Sequence, residues 1–118
     1  MEIKYTSGDK FDTIQPIGRL DSFTSPQLEE MLYQQIHAGR FNFIVDLSQL
    51  EYLSSSGIRV FVNAQKICLK KDGVICMVST PDLIMTTFQL FGFDKIFQFY
   101  ETLETAAASF EDYKAYGD

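Results

Sequence analysis

Histidine is almost missing from this sequence, with His37 its only member. A Ser–His–acid triad needs a base within hydrogen-bond reach of its nucleophile, and nothing in the chain brings this histidine to a serine. Cysteine is nearly as scarce. Cys68 and Cys76 lie in separate apolar segments, and no CxxC or Cys/His cluster exists. A zinc site has no support, and a pair of buried, reduced thiols is the expectation. Glycine-rich phosphate loops are lacking: neither a Walker loop nor a dinucleotide fingerprint occurs. No Gly-x-Ser-x-Gly elbow surrounds the serines either. No apolar run approaches the roughly 18 residues of a membrane span. The start, Met1-Glu-Ile-Lys-Tyr5, has no basic stretch leading into an apolar one. Basic charge is in deficit, with Lys+Arg at 10, Asp+Glu at 16 and a net charge of −6. Such a surface repels nucleic-acid phosphate and anionic lipid. These absences predict a cytoplasmic, soluble, non-enzymatic protein with no cofactor, no nucleic-acid partner and no direct membrane insertion.

The residues present describe a folded α/β chain. A length of 118 residues with 46% hydrophobic content fits one domain, residues 1–118, with a core of its own. Glu2 to Tyr5 alternates polar and apolar, and Lys10 to Leu20 reads as a second strand. Ser7-Gly8-Asp9 between them is turn chemistry, which predicts a hairpin. Pro16 cannot donate a ladder bond, so an edge position or a bulge is expected there. Gly18 to Pro26 is a loop. Thr24 or Ser25 can cap the helix that follows, and Gln27 would complete a capping box with Thr24. That helix runs to about Ala38 and carries Leu28, Met31, Leu32 and Ile36 on one face.

Phe41 to Leu47 is almost continuously apolar, the mark of a strand covered on both faces. Ile58 to Lys71 is helical, with an apolar surface wider than one core contact needs. Deep burial explains that breadth, and a partner against one edge is the alternative. Val74 to Ser79 is a second buried strand. A helix opening near Pro81, with Thr80 as a cap, carries Leu83, Ile84 and Phe88 as far as Gly92. Ile96 to Tyr100 alternates as a last strand, and Thr102 caps a terminal helix reaching about Tyr116. The order β-β-α-β-α-β-α-β-α predicts an α/β fold whose mixed sheet has about five strands and about four helices.

The chain is organised around Asp46 to Arg59, where a serine triplet, Ser54-Ser55-Ser56, is closed by Gly57 at a helix start. The N–H groups there are unpaired and the helix dipole favours negative charge. One serine suffices for a cap. A second serine at such a place is suited to accept a phosphate, whose charge of roughly −1.5 to −2 the helix end tolerates. Asp21 and Thr24 are most simply loop-stabilising and capping groups, and Asp46 a bond to its own loop. Arg59, in the first turn, either meets solvent or pairs with a phosphate or a partner's acid.

Gly18-Arg-Leu-Asp-x-x-Thr24, Phe43-Ile-Val-Asp-Leu-Ser48 and Tyr52-Leu-Ser-Ser-Ser-Gly-Ile-Arg59 together resemble the STAS domain family, in particular its anti-sigma factor antagonists. The resemblance covers nearly the whole chain. It implies a regulator that binds an anti-sigma factor/serine protein kinase when unphosphorylated. Phosphorylation on a serine of this turn then releases it, and a PP2C-type phosphatase resets it. The family's common turn is Asp-Ser-Ser/Thr-Gly. Laid on this chain, the acid falls on Ser54, the acceptor on Ser55 with Ser56 as second choice, and the closing glycine on Gly57. Asp21, Thr24, Ser54, Ser56, Gly57, Ile58 and Arg59 are then the expected partner-binding residues. The alternative is a non-switching scaffold subunit of a larger signalling or lipid-transport complex.

Overall fold

In the computed structural model, which describes residues 1–117 and side chains as far as Phe110, the sequence makes a six-stranded mixed sheet with four helices. β1 (Glu2–Thr6) and β2 (Asp12–Leu20) form the antiparallel hairpin, with Thr6 opposite Thr13. α1 (Ser25–His37) returns the chain to β3 (Asn42–Asp46), which lies parallel to β2. A short strand, β4 (Leu50–Leu53), follows directly and leads into α2 (Ser55–Lys70). β5 (Val74–Val78), α3 (Asp82–Leu90), β6 (Phe99–Tyr100) and α4 (Leu103–Gly117) complete the chain. The sheet order is β1-β2-β3-β5-β6, with β4 paired to β2 alone.

The central apolar strands are β3 and β5, as their composition requires. Their side chains alternate between two cores. Phe43, Val45, Ile75 and Met77 join α1, α2 and α3 in the larger one. Ile44, Cys76 and Val78 face Ala106 and Phe110 of α4 in the smaller one. Three helices therefore cover one face and α4 the other. The breadth of α2 is used for burial: Ile58, Val60, Phe61, Val62, Ala64 and Cys68 are all inside. Cys68 and Cys76 are free thiols on opposite faces of the sheet. Burial pushes them up to about 11 and about 12 respectively.

β2 holds the surprises. Its inward side chains are Asp12, Ile14, Pro16 and Leu20, while Phe11 and Ile17 are half-buried. Asp12 is wholly buried at the strand's start. It accepts from Arg40 Nη2 at 2.6 Å and Nε at 3.1 Å, from the Gly8 N–H at 3.2 Å and from the Tyr5 hydroxyl. Pro16 does not mark an edge, because β2 has neighbours on both sides. It falls in the gap where β3 pairing has ended at Ile14 and β4 pairing has yet to begin at Gly18. Gly18 makes the changeover. Its φ of +104° suits only glycine, and its N–H reaches Gln49 O at 3.1 Å.

Two caps differ from expectation. Thr24 stands at the N-cap of α1, but its hydroxyl makes no cap bond there, and Gln27 bonds Met1 O rather than closing a capping box. Pro81, not Thr80, is the N-cap of α3, and the Thr80 hydroxyl is buried without a partner among the described residues. The Thr102 cap is present, accepting from Thr105 N at 3.1 Å. Among the described residues, no helix is long and apolar enough to cross a membrane.

Candidate functional site

β4 positions the serine turn. Leu50 and Leu53 bury into the main core while Glu51 and Tyr52 point outward. Ser54 leaves the strand in an extended conformation (φ −92°, ψ 170°) and caps α2, its hydroxyl accepting from Gly57 N at 3.3 Å. Its N–H reaches Leu20 O at 2.9 Å and its carbonyl accepts from Ile58 N at 3.1 Å. The Ser54 hydroxyl also donates to Ser56 Oγ at 3.4 Å. Ser55 opens the helix between them, half-buried, and its hydroxyl has no hydrogen-bond partner among the described residues. It is not a sealed-in atom either, so it meets solvent. The three serines therefore have three situations: a cap, a free hydroxyl, and a partner to the cap.

Gly57 is required by close approach. A Cβ there would lie 2.7 Å and 2.8 Å from Cγ and Cδ2 of Leu20 and 3.0 Å from Cδ1 of Leu53. Leu20 and Leu53 are paired across β2 and β4, so this contact pins the helix start to both strands. Ile58 is buried beneath it, and Arg59 is exposed one helical turn beyond Ser55.

The Asp21–Thr24 loop lies beside this turn because β2 and β4 end together. Asp21 is a structural acceptor. Its Oδ1 takes the Phe23 N–H at 3.0 Å, the Thr24 N–H at 3.1 Å and the Thr24 hydroxyl at 3.2 Å. Burial would raise its carboxyl, but these hydrogen bonds, with Arg19 nearby, outweigh that and hold it below the usual range. The Thr24 hydroxyl donates to Arg19 O at 2.8 Å and accepts from Asp21 N at 2.9 Å. The tight loop leaves Phe23 92% exposed. Arg19 lies over the Tyr52 ring, 4.2 Å from its centroid. Asp46 accepts from Ser48 N at 2.9 Å, the expected bond within its own loop, and from Gln15 Nε2 at 3.2 Å.

Sequence reasoning missed Phe23, Arg19 and Tyr52 as parts of this surface. The Arg19–Tyr52 pair depends on β4, and a strand of four residues gave no periodic signal. His37 is far away. α1 starts beside the serine turn and runs from it for thirteen residues, about 20 Å at the helical rise. Among the described residues no His/Cys/Asp/Glu group could hold a metal. Four cavities, one of about 390 Å³ lined by Asn42, Leu69, Gly73 and Phe110, involve none of the three serines. The serine turn lies on an outer surface with exposed aromatics, a form suited to recognition by a protein.

A model of the STAS domain matches residues 7–106. The anti-sigma-B factor antagonist of Staphylococcus aureus is 29% identical over 104 residues, covering 88% of this chain and 96% of that protein. Two solved structures share the fold. An anti-sigma factor antagonist from Mycobacterium paratuberculosis superposes with a TM-score of 0.82 at 23% identity, covering 93% of each chain. The Bacillus cell fate determinant SpoIIAA in its phosphorylated form superposes with a TM-score of 0.73 at 17% identity, covering 92% of this chain and 98% of that one.

Proposed function

The chain belongs to the STAS domain family, and on that premise we propose that it is an anti-sigma factor antagonist whose binding is gated by phosphorylation of Ser55. In this reading the unphosphorylated protein binds an anti-sigma factor that is also a serine protein kinase. The kinase transfers a phosphoryl group to the Ser55 hydroxyl, the complex dissociates, and a PP2C-type phosphatase restores the free serine. The chain itself performs no catalysis.

The observation that carries this reading is the uneven use of the serine hydroxyls. Ser54 caps the helix start and donates to Ser56, while Ser55 is unpartnered among the described residues at the first position of α2. A phosphate on Ser55 would sit at the positive end of the helix dipole, close to N–H groups that the helix leaves unused. Arg59, one turn on, is placed to approach it. The switch is then electrostatic: the helix persists, and the partner meets new negative charge. Ser54 fills the place where the family more often has an acid, and it makes the cap bond that an aspartate would make. Names of relatives support the role, since the Staphylococcus aureus protein is called an anti-sigma-B factor antagonist and SpoIIAA has been seen phosphorylated.

The test is a binding measurement against the serine kinase of the same cell, with intact-mass analysis of the native protein. Ser55→Ala should bind in every growth state and Ser55→Asp should bind weakly. Protein from the native cell should occur in two forms differing by one phosphate. Equal binding by all three forms would sink the proposal.

A further inference from the structure

The outward face of α3 is apolar where a surface helix should be polar. Leu83 is 78% exposed, Leu90 79% and the following Phe91 50%. Leu83 and Leu90 stand two turns apart on the same side of the helix, with Thr86 and Thr87 between them. Both threonines turn their hydroxyls back onto the helix, Thr86 to Asp82 O at 3.0 Å and Thr87 to Leu83 O at 3.1 Å. Their polar atoms are thereby occupied, so the exposed side of the helix is less polar than its sequence reads. The inner side is already used, since Ile84 and Phe88 are buried in the main core. The outer face is therefore surplus to folding.

Its place in the fold gives it a purpose. α3 follows the C-terminal end of β5 as α2 follows that of β4. Both strands point the same way, because β4 and β3 are each parallel to β2, and β5 is parallel to β3. The starts of α2 and α3 thus lie at one end of the molecule, and α3 packs beside β4, the strand that delivers Ser55. Exposed Phe23, in the loop after β2, is at that same end. The surroundings are acidic. Asp82 opens α3, and Glu101 is tied to its approach through Ser79 Oγ bonded to Glu101 O at 3.2 Å. Glu51 projects from β4, and Asp94 follows the helix beside Lys95, while Arg19 and Arg59 lie on the serine-turn side of this end. A second copy of this chain would bring Asp82 and Glu101 against like charge, which disfavours self-association through this face. The complement is an apolar groove with basic margins.

We propose that the Leu83–Leu90 face of α3 is a second, phosphorylation-independent anchor for the same anti-sigma factor, inserted into an apolar groove rimmed by lysine or arginine. This rests on the proposed function above. It divides the interface into a constant part, α3, and a gated part, the serine turn. The anchor supplies affinity, and Ser55 decides whether the rest of the surface can close.

The test measures affinity for the purified anti-sigma factor kinase of the same cell. Leu83→Ser/Leu90→Ser should keep its thermal midpoint, because both side chains are exposed, and should bind at least about tenfold more weakly than wild type. The loss should be the same in a Ser55→Ala background. Asp82→Lys/Glu101→Lys, which keeps the leucines, should also weaken binding, and the wild-type affinity should fall as salt is raised. Wild-type binding with no loss in the leucine variant overturns the anchor and leaves the phosphorylation switch standing. Failure of the wild type to bind that kinase overturns the switch and removes this occupant with it. Reversible dimerisation of the wild type that the leucine variant abolishes overturns it in favour of a second copy.

Discussion

Gly57 looks dispensable in the helix-forming sense, since alanine is favoured over glycine in a helix interior by about 1 kcal/mol. The contacts argue the other way. A methyl group at this position would press on Leu20, which is wholly buried, and on Leu53. Overpacking of this kind costs about 1–3 kcal/mol, so Gly57→Ala should lower stability in chemical denaturation despite its better helix propensity. A stabilised variant would show that Leu20 can move. Asp12 gives a residue-scale prediction with a pH signature. Burial alone would raise its carboxyl, but hydrogen bonds from Arg40, Tyr5 and the Gly8 N–H outweigh it and hold the group below its usual 3.8. The folded state therefore binds this proton less readily than the unfolded chain. Its contribution is complete above pH about 4 and is lost as pH falls through the lower folded value. Asp12→Asn should be destabilised by up to about 3 kcal/mol at pH 7, and the gap from wild type should close in strong acid. A gap that stays constant down to pH 3 would count against the Asp12–Arg40 pair as its origin. Neither residue's role is legible from sequence, because an aspartate at the start of a strand gives no hint of burial. The serine turn was legible, since three hydroxyls before a glycine at a helix start are a local pattern. The division of labour among them was not, because it depends on hydroxyl contacts.

Elements read well from sequence where burial is uniform and poorly where it is mixed. β3 and β5 show as apolar runs because both faces are covered. β4 hides because its two buried residues, Leu50 and Leu53, are three apart and the residues between them face out. That is neither the alternation of a strand nor the length of a helix. β6 is shorter than the pattern Ile96 to Tyr100 suggests, and its shortness leaves β5 with unpaired backbone at Ile75. Gln65 of α2 fills the place. Its side-chain amide receives the Ile75 N–H at 2.7 Å and donates to Ile75 O at 3.0 Å and Ile96 O at 3.1 Å. A buried side chain thus stands in for a missing stretch of strand. Gln65→Leu has similar bulk and would be welcome in a core, yet it leaves that N–H and both carbonyls without partners. Each such buried group costs about 1–3 kcal/mol, so the variant should lose at least about 2 kcal/mol. Near-neutral denaturation curves would mean that water reaches the β5 edge.

At the scale of the molecule, the two faces of the sheet are unequally held by the described side chains. Among the described residues, the larger core contains twenty-one buried apolar residues from three helices, the sheet and the loops beside it. The core under α4 contains five among the described residues, Ile44, Cys76, Val78, Ala106 and Phe110, with Phe110 stacked on Phe11 at 5.3 Å between ring centroids. Local opening follows such differences in buried contact, so α4 should lift from the sheet at a lower free energy than global unfolding. The cysteines report the two events separately, because Cys76 lies under α4 and Cys68, on the inner face of α2, lies in the larger core. Burial holds both thiols far above neutral pH, and each should resist a thiol reagent at pH 8 until its own cover opens. In single-cysteine variants, Cys68→Ala and Cys76→Ala, labelling across a urea series gives an opening free energy for the remaining thiol. Cys76 should label at the lower denaturant concentration, before the far-UV circular dichroism changes cooperatively, and Cys68 should label with the global transition. Coincident labelling of both would mean that α4 is cooperative with the rest. In the expected case the layer bearing the serine turn and α3 stays intact while α4 moves, so a partner reading those elements meets one fixed surface.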